Sequence, residues 1–473
     1  MIATFETRIN GYVVDQSRSQ KGTFERLNPY LTYEAKDFLT DTAKIPALPF
    51  TPTNRRIFGY IDIPSLGSDV PRFLFEQYIN GSLVQEGIAL LTDFSEEKGY
   101  QLTVVQPVGE FFGDIQNMLL SEIDFGSVPL ILPIPAVIQE SGKDAICFPS
   151  VVNTDYYGTN GASVSYSGRV NDYVAGAYTA TGPKVPMVFV RYLLQRIAAI
   201  AGVTIDGDFM IDADLGKLVL YNIRALDGAT EVTFSKHLPD MTVVDFIVEL
   251  RKYLNLSLKF NTVQKRLTIG FTDDIFSIPC TKDWTSKLVK NPSKILERSR
   301  RLQLTMDLDS NDTLQKDRPA AIVDYLTPAF SNDLAIAKVP TKFSTLLVDG
   351  TGLPTAKQQG ATTEFAQLEK KSTPRLLFWN GIVGGYPQAL PTRAGKSLYW
   401  NGPDGLVNWA WAKTEAFRRQ IHYLNCEMLL TEADLALLDF KEKVHINGVN
   451  YLPVRLTNSY PLTQPTSVLL VSA

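Results

Sequence analysis

Gly395-Lys396-Ser397 has the ending of a phosphate-cradling loop, in which backbone N–H groups and a lysine hold a nucleotide's phosphates. The glycine required five residues earlier is Leu390, and the residues that follow read as strand where a helix N-terminus must receive the phosphates, so a nucleotide site is rejected. Asp307-Leu308-Asp309-Ser310-Asn311-Asp312 imitates the opening of a calcium loop. Its sixth position is Asp312 where glycine makes the turn, and its twelfth is Arg318 where a bidentate glutamate closes the site. Asp206, Asp208, Asp212 and Asp214 crowd together without the loop pattern; turn and cap duty is expected of both groups. Of the three histidines, His237, His422 and His445, only His422 has a neighbour of ligand type, Cys426, on what would be one helical face, and two ligands do not hold a zinc ion. Gly161-Ala162-Ser163-Val164-Ser165 lacks the closing glycine of a nucleophile elbow. Glu96-Glu97 reads as a hydrophilic turn, although the paired carboxylates of a glycosidase are defined by a separation in space that sequence does not give. Trp379, Trp400, Trp409 and Trp411 can stack on sugar rings or pack in a core or subunit interface, and their apolar area favours packing. No catalytic, cofactor-binding or metal-ligating residue is nominated, and no cofactor is expected.

The composition agrees with that absence of chemistry. Cys147, Cys280 and Cys426 are odd in number and far apart, which argues against a disulfide framework and for buried free thiols. A net charge of −4 excludes the footprint of a nucleic-acid binder, and Glu297-Arg298-Ser299-Arg300-Arg301, the densest basic run, reads as a solvated face. Met1 to Glu6 lacks a basic segment followed by an apolar run, and no stretch approaches the length of a membrane span, so a soluble protein made in the cytoplasm is expected. With 473 residues, 45% of them hydrophobic, the chain can bury more than one core.

The elements that would position any site are mostly strands. Arg72 to Ile79 and Ser82 to Leu91 flank Asn80-Gly81, the strongest short hairpin signal, and Tyr100 to Val105 adds a third strand, followed by a predicted helix over Phe111 to Ile123. Residues 127–185, rich in Pro, Gly, Ser, Tyr and Asn, predict short strands and long loops. Helices are predicted over Met187 to Ala201 and after Thr242, where Val243, Phe246, Ile247, Leu250, Tyr253 and Leu254 share one face, and a hairpin is predicted over Leu256 to Phe271. Leu376-Leu377-Phe378-Trp379-Asn380-Gly381 and Ser397-Leu398-Tyr399-Trp400-Asn401-Gly402 read as a pair of aromatic strands, each ended by an Asn-Gly turn. A helical piece at Thr431 to Leu438 and strands at 443–446, 449–456 and 467–471 follow. The resulting expectation is an α+β, mainly β, multidomain chain divided as 1–130, 131–185, 186–280 (an inserted α+β subdomain), 281–420 and 421–473.

Three stretches carry a family likeness: Asn80 to Leu90 with Tyr100 to Val104 and Phe111-Phe112, Leu238-Pro239-Asp240-Met241-Thr242 through Leu267-Thr268-Ile269, and Asp439 to Val454. Together, about a third of the chain, they resemble the tail hub (baseplate hub or tail-tip) proteins of phages and prophages of Bacteroidetes. The resemblance implies tube-like β-barrels, two per subunit, in a homo-trimer whose pseudo-hexameric ring continues the tail tube. It further implies a distal tail protein above, a spike or tip protein below, a tape-measure protein as neighbour, a place in the virion and a lumen that passes DNA without holding it. A mildly acidic chain suits such a lumen. Two other readings stay open on the residues alone: a receptor- or carbohydrate-binding tail component, with Trp379 or Trp400 as stacking platforms, and a cell-wall or polysaccharide hydrolase.

Overall fold

The computed structural model describes residues 5–17, 22–31, 41–63, 72–95, 97–105, 111–158, 165–289, 292–330, 335–363, 372–460 and 464–473. Met1 to Thr4, Glu96 and Gly161 to Val164, on which the readings of the leader, the acidic turn and the elbow-like motif depend, lie outside these residues. The chain is mainly β with short helices and many separate sheets.

The largest sheet has thirteen strands and is built from both ends of the sequence. Its N-terminal strands are β1 (Phe5–Ile9), β2 (Tyr12–Val13), β3 (Gly22–Leu27), β4 (Thr42–Lys44), β5 (Arg72–Ile79), β6 (Ser82–Ser95) and β7 (Gly99–Val105). Hydrogen bonding runs in the order β2, β1, β5, β6, β7, β4, β3, then Val449–Tyr460, Thr466–Ser472, His422–Met428 and Ser293–Leu296, and off this run Val444–Ile446 joins Val449–Tyr460 to Lys282–Asp283. Asn80 and Gly81 both take positive φ, 48° and 80°, which matches the turn to the twist of the β5–β6 hairpin. Asn447-Gly448 repeats the device between Val444–Ile446 and Val449–Tyr460. Along β5 the alternation is regular, with Phe73, Phe75, Gln77 and Ile79 inward, so a slip of one residue would turn the apolar set to solvent.

Among the described residues, β2 and Ser293–Leu296, the two ends of this run, each pair on one side only. The expected tube-like barrels are therefore not closed among the described residues; closure requires the two end strands to bond to each other, and β2 and Ser293–Leu296 do not.

Two cores divide the chain. One lies on the long sheet and takes side chains from Ile9 to Val104, Ile275, Trp284 and Ile421 to Val471. The other takes side chains from Phe111 to Ile269 and Leu302 to Trp411. The second core is organised by the helices Val190–Ala201 and Val243–Leu254. Thr242 caps the latter, its hydroxyl accepting from the Asp245 N–H, and Asn255 ends it in the left-handed conformation before the hairpin Leu256–Asn261 and Arg266–Phe271.

Three elements differ from expectation. Phe111 to Ile123 holds only a 3-10 turn at Gly113–Ile115, since Gly113 takes φ +58° and Leu119 bridges to Thr242, which draws the backbone out of a helix. Met187–Val188 is a strand paired with Ile146 and Cys147, so the helix starts at Val190. Arg375–Val383 runs through Asn380-Gly381 as a bulge and turns at Gly384-Gly385, while Leu398 to Trp400 leave the sheet after Lys396–Ser397; the two aromatic pieces do not pair with each other.

Asp273 fastens the junction between the cores. Its carboxylate accepts from the Lys413 N–H (2.8 Å), the Thr414 N–H (2.8 Å), the Thr414 hydroxyl (2.6 Å) and Asn255 Nδ2 (3.1 Å), and so caps the helix Ala412–Gln420 from outside. Phe276 and Phe417 stack beside it at 4.2 Å. Asp273→Ala leaves buried donors unmet and is expected to cost about 2 kcal/mol, seen as a lower midpoint of urea unfolding, whereas Asp273→Asn keeps an acceptor and loses less.

Candidate subunit interface

The residues singled out for chemistry are dispersed. Lys396 lies in a two-residue strand with its ammonium 3.3 Å from Asp214 and 3.5 Å from Asp212. Asp206 pairs with Arg266 and accepts from the Thr268 hydroxyl, and Asp212 accepts from the backbone N–H groups of Asp214 and Leu215. The acidic run at 307–312 turns inward: Asp312 and Asp309 meet the guanidinium of Arg375 at 2.8 and 3.3 Å, so the charge that faces these carboxylates is an arginine of the same chain. Among the described residues, no group of three or more His, Cys, Asp or Glu is placed to hold a metal ion.

His422 and Cys426 lie on the strand His422–Met428, not on a helix, and His422 Nε2 is 3.2 Å from the Tyr451 hydroxyl. The helix expected there ends at Gln420 because Ile421 is already extended. His445 Nδ1 meets Asn450 Oδ1 at 2.9 Å, and buried His237 takes a bond from Asn222 Nδ2 at 2.9 Å. Cys147 and Cys426 are buried free thiols, while Cys280 is half-buried against the carbonyl of Lys443. Trp379, Trp400 and Trp411 are buried in the second core, with Trp400 edge-on to Tyr253 at 5.4 Å, and Trp409 donates its Nε1–H to the Ser397 carbonyl at 3.0 Å. Indoles shut inside a core offer no face to a sugar, so the stacking platform expected of Trp379 and Trp400 is not there.

What the fold does leave unfinished is the long sheet. The two strands that end its main run are both exposed: Tyr12 is 63% and Val13 51% accessible in β2, and Ile295 is 47% and Leu296 62% accessible in Ser293–Leu296, where all four residues face solvent. Edge N–H and C=O groups without a partner strand among the described residues, beside exposed apolar side chains, form a template for another strand. Lys294, Arg298 and Arg300 surround one end, against Glu297. The cationic field there is felt by His422, whose imidazole is held below its ordinary value by burial and then by repulsion from Lys294 and Arg300. Near the other end, Glu6 pairs with Arg8, and Asp15 is bound to Thr51 and Asn54 of the segment that also carries Arg55 and Arg56. Sequence reasoning took the basic run after Leu296 for a solvated face; the signal it passed over is Ile295-Leu296, an exposed apolar pair in front of that run.

No family model and no curated protein matches the chain. Solved structures to which it is similar include the tail protein from Neisseria meningitidis, at 9% identity over 100% of this chain and 96% of that one, with a TM-score of 0.43. Others are the 43 kDa tail protein of prophage MuSo2 from Shewanella oneidensis (8% identity, 99% and 97% covered, TM-score 0.40) and prophage tail protein gp18 from Listeria monocytogenes (7%, 99% and 94%, TM-score 0.37).

Proposed function

We propose that the chain is a structural protein of a phage tail, a hub at the distal end of the tail tube that assembles as a ring, joins the tube to a tip or spike protein and lets DNA through. The observation that carries the assembly part of this reading is the pair of exposed strands, β2 and Ser293–Leu296, that end the main run of one thirteen-stranded sheet. Such ends make a heterologous contact, in which Ser293–Leu296 of one copy adds to β2 of the next, and a heterologous contact repeated about an axis closes into a ring. The place in a tail rests on the resemblance of the 80–104, 238–269 and 439–454 stretches to tail hub proteins, which also suggests three copies, tube-like barrels completed in the assembly, and a tape-measure protein as neighbour. Core placement of the tryptophans favours this over a glycan binder.

The test is the native mass of the purified chain by light scattering, followed by class averages in the electron microscope. A three-fold ring with an axial channel is expected; a monodisperse monomer at high concentration would remove the reading. The double substitution Ile295→Lys and Leu296→Lys is expected to shift the ring to monomer while leaving the circular dichroism of the subunit unchanged, because both side chains are exposed in the single subunit.

A further inference from the structure

A cleft of about 290 Å³ lies between the helix Val190–Ala201, the turn at Leu215–Lys217 and the strand Lys143–Cys147. Its polar lining is Lys143, Asp144, Arg191, Tyr192, Gln195 and Lys217. Three cations face one carboxylate, and that carboxylate, Asp144, is engaged by Lys217 at 2.7 Å. The neighbouring Asp212 is itself held by Lys396 at 3.5 Å.

The donors here outnumber their acceptors. Arg191 gives one Nη to the Asp212 carbonyl, but its Nε–H has no partner among the described residues, and neither has the hydroxyl of Tyr192, a residue only 4% exposed. Lys143 is exposed at the rim and no carboxylate of the described residues lies within ion-pair distance of it. Unmet donors shielded from water, set beside a surplus of positive charge, are an arrangement that an oxyanion completes. A methyl group at Gly216 would collide with the Arg191 guanidinium, so the glycine leaves the room that this group occupies beside the cleft.

We propose that this cleft binds a small oxyanion, a phosphate or carboxylate group, through Arg191 with Lys143 and Lys217 at its rim. The volume suits a small ligand, near the lower end for ligand pockets. None of its lining residues belongs to β2 or to Ser293–Leu296.

Calorimetric titration of the full chain with inorganic phosphate, at ionic strength held constant with chloride, is expected to give saturable one-to-one binding. Acetate run in parallel separates the two oxyanions, and the tighter of them names the group. Lys143→Ala, at an exposed position, is expected to weaken binding roughly tenfold. Gly216→Ala should weaken it as much by displacing the guanidinium, and an unchanged thermal midpoint without ligand would show that the fold is intact. Arg191→Lys, which keeps the charge and loses the planar fork, should fall between them and the parent. No heat from either anion beyond the chloride control, or binding indifferent to both Lys143→Ala and Gly216→Ala, would overturn the proposal.

Discussion

Replacing Arg375 by methionine is expected to destabilise the second core by about 3–5 kcal/mol, the range for breaking a buried ion pair from one side. Arg375 has no exposed surface, and its guanidinium reaches Asp312 Oδ2 (2.8 Å), Asp309 Oδ2 (3.3 Å) and Gln358 Oε1 (2.6 Å) while lying 4.4 Å over the ring of Tyr221. The carboxylates are held from behind: Asp312 Oδ1 accepts from the N–H groups of Leu314 and Lys357, and Asp309 Oδ2 from that of Thr373. Without the guanidinium, two carboxylates face each other in a dry core, and repulsion adds to desolvation. The triple variant Arg375→Met, Asp309→Asn, Asp312→Asn should recover much of the loss, because amides keep the backbone contacts without the charge. Tryptophan fluorescence during urea unfolding reads this core well, since Trp379, Trp400, Trp409 and Trp411 pack in or against it and only Trp284 belongs to the other. A single variant within 1 kcal/mol of the parent would show that the pairing is not what holds segments 307–315, 357–358 and 373–375 together.

The second large effect is a dependence on acid. His237 is shut away beside Asn222, and burial, followed by repulsion from Arg224 and Lys236, lowers its pKa from 6.5 to about 3. The native state therefore holds a neutral imidazole where the unfolded chain protonates. Stability from this group is complete above about pH 6.5 and is lost as pH falls toward 3, at about 1.4 kcal/mol per unit, or about 2 kcal/mol by pH 5. Asp273 and Glu86, whose carboxyl groups burial raises, act in the opposite sense at the acid end, so the informative quantity is the difference between two proteins. His237→Gln is expected to remove about 2 kcal/mol of the decline between pH 7 and pH 5 measured by urea unfolding. Parallel slopes for parent and variant would contradict the assignment.

How much of this was readable in advance depended on distance along the chain. The hairpin at Asn80-Gly81, the cap at Thr242 with its apolar face, and the turn at Asn447-Gly448 are settled by neighbours a few residues apart, and all three appear where their residues place them. The failures are long-range. Asp309 and Asp312 resemble a cation seat because the cation that they hold stands some sixty residues away in Arg375. The helix expected over Phe111 to Ile123 gave way to a bridge between Leu119 and Thr242. The two aromatic pieces were read as strands each ended by an Asn-Gly turn, yet Gly381 serves as a bulge, and which role a glycine takes is set by the partner strand. Of the candidate interface, sequence showed the charges around Ser293–Leu296 but not that this strand is the last of a sheet begun near Tyr12.

Strand β3 pairs on one side with β4, a close neighbour in sequence, and on the other with Val449–Tyr460; Asn28 Nδ2 binds the carbonyl of Pro453, 425 residues away. At ribosomal speeds of about 5–20 residues per second, roughly 20–85 s pass between the appearance of those two residues. Throughout that interval the nascent chain carries a bare strand edge. A protein built this way commits its first hundred residues to waiting for its last fifty, and any truncation or translational pause before Val449 leaves a sticky half-sheet for chaperones to shield.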